Sequence, residues 1–178
     1  MSTDPGSGFC ALIIMGVSGS GKSTIADALG RRLGWIVEDA DRFHSKSNIE
    51  KMSAGIALTD EDRWSWLRAV AAEIGRNRAS GTSIIMACSA LKRAYRDILV
   101  NGHRDTRIVY LRGDKDLIAS RLKARLAHFM PPGLLEDQFD TLEEPAADER
   151  PIVVDIDATV DDIADRIVTM LEPDQKIS

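Results

Sequence analysis

The stretch Gly16-Val17-Ser18-Gly19-Ser20-Gly21-Lys22-Ser23 constrains the fold more than any other part of the chain. Its spacing, G-x-x-x-x-G-K-[ST], is that of a loop that wraps a phosphate group. The apolar run Phe9–Met15 stands directly before it and reads as a buried strand. Directly after it, Thr24–Leu33 places Ile25, Leu29 and Leu33 on one helical face. Glycines let the backbone turn tightly enough for successive N–H groups to point at one anion. The following helix turns its positive end to the same point. In such a loop Lys22 reaches the β- and γ-phosphates of a nucleotide, and the Ser23 hydroxyl ligates Mg²⁺. The candidate nucleotide-binding residues are thus Gly16, Val17, Ser18, Gly19, Ser20, Gly21, Lys22, Ser23 and Thr24.

Apolar strand-like runs go on alternating with helical patterns. The expected strands are Phe9–Met15, Trp35–Glu38, Ser83–Ala87, Arg107–Arg112 and Ile152–Asp155. The expected helices are Lys22–Leu33, Asn48–Ala54, Asp60–Arg78, Ala90–Val100, Asp114–Ala127 and Val160–Leu171. This alternation predicts an α/β fold, a parallel sheet covered by helices on both faces. Ligands of such sheets gather at the carboxyl ends of the strands. With 178 residues the chain reads as one domain over 9–172, with a frayed start at 1–8 and a tail at 173–178. His44–Leu58 and His128–Arg150, the latter with Pro131, Pro132 and Gly133, lack scaffold patterning. Segments of about 44–58 and 121–145 are therefore the candidate lid and substrate-binding parts.

A net charge of −5 argues against nucleic-acid or membrane-surface binding, which draws on excess positive charge. No run is long enough to span a bilayer, and Phe9–Met15 lacks the basic flank of a signal peptide. Cys10 and Cys88 sit in or beside apolar runs and are expected to be buried free thiols. A cytoplasmic location is the expectation.

Asp39 and Asp41 follow the second strand and, in extended chain, project the same way. Near the loop, one can hold the water shell of Mg²⁺ and the other can accept a proton from an attacking hydroxyl. No acid ends the run Ser83–Ala87, and the single D-x-x-G lies inside the first helix. That pattern disfavours a GTPase and suits a small-molecule kinase. Arg121, Arg125 and His128 share one helical face, from which arginines can close over a nucleotide, stacking on adenine and neutralising phosphoryl charge. Lys92, Arg93 and Arg96 form a second basic cluster suited to an anionic substrate. His44 can meet a substrate hydroxyl or cap the helix near Asn48. Three scattered histidines and no cysteine cluster give no zinc site.

The ordered set of these motifs resembles the bacterial-type gluconokinases, small P-loop kinases, from Leu12 to about Ile167. It comprises Met15–Ser23, Asp39-Ala40-Asp41 with His44, Asn48–Met52, Leu58–Arg63, Cys88–Lys92 with Tyr95-Arg96-Asp97, Arg121–Arg125 with His128-Phe129-Met130, Gln138-Phe139 and Leu142–Pro145. The resemblance implies a nucleoside-monophosphate-kinase-like fold with a five-stranded parallel sheet in order 2-3-1-4-5 and a lid. It implies transfer of the ATP γ-phosphoryl to the 6-hydroxyl of gluconate, with ATP and Mg²⁺ as cofactors and a homodimeric assembly. On it, Asp41 is expected as base, Ser23 and Asp39 at the metal, Lys22 and Arg125 as phosphoryl clamps and Arg121 on adenine. Asp41, His44, Lys51, Arg96 and His128 are the expected gluconate contacts. Ala40 replaces the usual glycine between the aspartates, and Trp64-Ser65-Trp66 replaces a segment that usually carries proline.

Overall fold

Strand β1 (Ala11–Met15) is buried at all five positions, as a strand must be when helices cover both its faces. Leu12 and Ile14 point into one core layer; Ala11, Ile13 and Met15 point into the other. The computed structural model describes residues 8–124 and 133–175. In it β1 is central to a parallel sheet ordered β2-β3-β1-β4-β5, with β2 Ile36–Asp39, β3 Ile84–Ala87, β4 Thr106–Arg112 and β5 Ile152–Asp155. The expected strand order and helix coverage are those observed.

Seven α-helices lie among the described residues: α1 Lys22–Leu33, α2 Lys46–Ser53, α3 Asp60–Ser80, α4 Arg93–Val100, α5 Lys115–Ala124, α6 Leu134–Thr141 and α7 Val160–Gln175. Ile25 and Leu29 of α1 and Ile163, Ile167 and Leu171 of α7 fill the first layer. Trp66, Leu67, Val70 and Ile74 of α3, with Tyr95 and Leu99 of α4, fill the second. Each such side chain stabilises the fold by about 1.5–3 kcal/mol when taken out of water. On α7 the buried face is thus Ile163, Ala164, Ile167 and Leu171. Val160 and Met170, apolar at nearly helical spacing, face outward at 39% and 47% exposure.

Local signals set the helix ends. Thr59 and Asp62 form a reciprocal capping box at the start of α3, and Gly81 ends it with φ +70. Ser45, not His44, caps α2, its hydroxyl accepting the Asn48 N–H at 3.1 Å. Helix α4 starts three residues later than expected because Ala90 adopts φ +46 and Lys92 stays extended. Helix α6 was not expected at all.

The segment 143–149, which overlaps the expected lid, is fastened to the loop after β3, to α4 and to β4. Its Glu143 N–H donates to the Leu91 carbonyl at 2.8 Å, and its carboxylate accepts the Arg93 N–H at the start of α4. Glu144 accepts the Tyr110 hydroxyl, Asp148 pairs with Arg93 at 2.6 Å and Glu149 pairs with Arg96 at 2.7 Å. Cys10 and Cys88 are both free thiols; Cys88 is buried as expected, whereas Cys10 is only half-buried. Among the described residues no helix is long and apolar enough to cross a membrane.

Candidate active site

The phosphate loop runs from β1 into α1 at the carboxyl edge of the sheet. Gly19 and Gly21 have φ +82 and +94, left-handed values that a side chain resists. At Gly19 space matters as well, since a Cβ would lie 2.7 Å from Cγ of Leu122 on α5. The Lys22 ammonium donates to the carbonyls of Gly16 and Val17 at 3.0 and 3.1 Å, which aims it back across the loop. Burial pulls its pKa down, opposed by the charges of Asp41 and Asp39.

Beside the loop lies a cleft of about 500 Å³, lined by Ser18, Lys22, Ser23, Thr24, Asp39 and Asp41 among others. Both aspartates reach it, although not by strand alternation. Ala40–Phe43 is a 3₁₀ turn, and Asp39 caps it by accepting the Asp41 N–H at 2.9 Å. The cap leaves the second Asp39 oxygen for another partner. Ala40 is buried, and its carbonyl accepts the Trp66 indole N–H at 2.7 Å, so the methyl in place of glycine packs inward. Asp41 stands at the cleft mouth with its side chain 84% exposed. The cleft walls push its carboxyl above the ordinary carboxylate value, and Asp39 adds to this; His44 and Lys22 oppose it.

His44 stacks on Trp66 with ring centroids 4.2 Å apart, and its Nε2 lies 3.8 Å from an Asp41 oxygen. Burial holds its pKa below 6.5, so the ring is neutral at pH 7 despite Asp41. Asn48 braces this corner by donating to the Asp62 carbonyl at 2.9 Å. Lys51 is tied to Asp62 at 2.8 Å. Arg63, the last residue of the Leu58–Arg63 motif and given no role there, donates to the Leu58 carbonyl at 2.8 Å and helps to lower the His44 pKa, so its charge is felt at that ring. Asp60 joins Lys92 at 3.1 Å and accepts the Tyr95 hydroxyl, which presents a second cation at the same end of α3.

Arg96 does not join the cleft. Its side chain is 1% exposed and fully engaged, with Nε and Nη2 on Glu149 and Nη1 on the carbonyls of Ala90 and Leu91. The expected grip on an acceptor carboxylate is therefore corrected: this guanidinium is a brace for the loop after β3. Arg121 donates to the Ile156 carbonyl at 2.6 Å, which fixes it beside the turn after β5. Arg125 and His128 lie outside the described residues.

Gln138 on α6, part of the family motif but given no role in the sequence reading, also lines the cleft. Leu134, Leu135, Gln138 and Phe139 have the i, i+1, i+4, i+5 spacing of a helical face, which could have found it.

Ser23 and Asp39 offer hydroxyl and carboxylate oxygens to one cleft. Such hard donors fit Mg²⁺, which takes one or two protein ligands and completes its shell with water and phosphate.

Comparisons with known proteins agree with this geometry. The family described as AAA domain matches residues 12–145. A mouse protein named probable gluconokinase is 42% identical over 178 residues, covering 90% of this chain and 97% of the relative. The thermoresistant gluconokinase of Escherichia coli K12 is 43% identical over 162 residues, covering 90% and 92%. The crystal structure of a gluconokinase from Sinorhizobium meliloti 1021 superposes with a TM-score of 0.82 at 38% identity, covering 96% of this chain and 95% of that one.

Proposed function

Because the chain belongs to the gluconokinase family, we propose that it transfers the γ-phosphoryl group of ATP to the 6-hydroxyl of D-gluconate. The observation that carries this reading is one cleft in which the phosphate loop faces Asp39 and Asp41. Phosphoryl transfer asks a protein mainly to position its reactants and to stabilise charge. The loop amides, the Lys22 ammonium and the positive end of α1 meet the phosphates. Ser23 and Asp39 hold Mg²⁺, which when bound neutralises charge on the phosphate oxygens.

Asp41 accepts the proton of the acceptor hydroxyl. The acceptor oxygen bonds to the γ-phosphorus as the bond to the β-phosphate oxygen breaks, and ADP leaves. The raised pKa of Asp41 makes it a better base than a carboxylate of ordinary pKa. His44, neutral and close to Asp41, suits a hydrogen bond to an acceptor hydroxyl. Arg63, Lys92 and Lys51 supply positive charge for the acceptor carboxylate, a role that Arg96 cannot fill from its buried pair. Arg121 keeps its expected place at adenine, and Arg125 and His128 keep theirs at phosphate and acceptor. The family resemblance extends the reading to a cytoplasmic homodimer, which light scattering on purified protein tests.

Purified protein with ATP, Mg²⁺ and gluconate should release ADP and form 6-phosphogluconate. Turnover on shikimate or a nucleoside monophosphate, with none on gluconate, would overturn the substrate assignment.

A further inference from the structure

Among the described residues, helix α6 is hydrogen-bonded to the phosphate loop through a single side chain. Gln138 Oε1 accepts the Ser18 main-chain N–H at 2.6 Å, and Gln138 Nε2 donates to Ser18 Oγ at 2.9 Å. Both ends of one carboxamide are thus matched to the main-chain N–H and the hydroxyl of one loop residue, 120 positions away in sequence. Among the described residues no other hydrogen bond joins α6 to the loop. Leu134, one turn earlier on α6, lines the same cleft, and Leu122 of α5 closes against Gly19. The far end of α6 passes straight into the segment fastened to β4 and α4.

We propose that Gln138 is a positioning residue that latches α6 over the phosphate loop and thereby keeps water from the transferring phosphoryl group. The inference rests on the kinase reading above. Water admitted to the cleft would attack the γ-phosphorus in place of the acceptor. Its oxygen would bond to phosphorus, the bond to ADP would break, and phosphate and a proton would be released. A carboxamide suits the task because it is uncharged: it can hold Ser18 without repelling the phosphates that the neighbouring amides bind.

The test compares Gln138→Leu, which removes both bonds at similar size, with Gln138→Glu, which keeps an acceptor but adds negative charge. ADP and phosphorylated gluconate are measured in the same reaction, and amide hydrogen exchange across 133–142 is followed in protein without substrates. For Gln138→Leu, loss of a water-excluding contact should raise acceptor-independent ADP release about fivefold and lower kcat about tenfold, with KM for ATP within about threefold of wild type. Exchange of the α6 amides should quicken. Gln138→Glu should instead raise KM for ATP. Unchanged exchange in Gln138→Leu would overturn the latch, and faster exchange with unchanged ADP release would overturn water exclusion. Because exchange is read without substrate, it judges the latch even if wild-type protein fails to phosphorylate gluconate.

Discussion

Arg96 and Glu149 are 1% and 8% exposed and joined by two parallel hydrogen bonds. Substituting either partner strands the other charge where water cannot reach it. Breaking such a buried pair costs about 3–5 kcal/mol. At about 2–4 °C per kcal/mol for a chain of this size, Arg96→Met and Glu149→Ala should each lower Tm by about 6–20 °C. The double variant Arg96→Met/Glu149→Ala leaves no stranded charge. Among buried groups it deprives the Ala90 carbonyl, since Leu91 keeps its bond from the Glu143 N–H and the Ala146 N–H, freed from Glu149, is exposed to water. An unsatisfied buried carbonyl costs about 1–3 kcal/mol, so the pair should show coupling of at least about 3 kcal/mol. Urea unfolding of the four proteins measures this. Burial alone would raise the Glu149 pKa, but Arg96 and the Ala146 N–H outweigh it and hold the carboxyl below its ordinary 4.5. A lowered folded pKa adds stability above the unfolded value and loses it as pH falls through the folded one. The gap between wild type and Glu149→Ala should therefore narrow below about pH 4.5. Additive single substitutions, or a Tm change under about 2 °C for either, would refute the reasoning.

Asp41→Asn should leave ATP binding by calorimetry nearly intact and reduce kcat by about a hundredfold or more; wild-type turnover would remove Asp41 from proton transfer. Because the base works only when ionised and its pKa is raised, the acid limb of the kcat profile should lie above 3.8 and disappear in Asp41→Asn. A limb that persists there belongs to another group. Thr59→Ala removes half of the capping box at α3, so urea unfolding should show a loss of about 1 kcal/mol with kcat unchanged.

The sequence carried the phosphate loop because its chemistry is local: eight consecutive residues and the two elements beside them. Strand pairing is not local, and the order of the sheet came from family resemblance rather than from any run of residues. Asp39 and Asp41 were found for a partly mistaken reason, since a 3₁₀ turn and not strand alternation brings both to the cleft. Arg96 was misread because a basic residue one helical turn from Lys92 looks the same whether it faces a ligand or a buried acid. Its partner lies 53 positions further along the chain. Helix α6 was hidden by Pro131, Pro132 and Gly133, which read as loop and drew attention from the helical face that follows.

The anchoring of residues 143–149 determines how α6 can swing. With Glu143 and Glu144 pinned to the loop after β3 and to Tyr110, the carboxyl-terminal end of the helix is a fixed pivot. Once the Gln138 bonds and the exposed Lys115–Glu136 pair give way, displacement must grow from Thr141 back toward Leu134, like a door hung on one side. A spin label at 134 should report a wider distance distribution to β4 than one at 141.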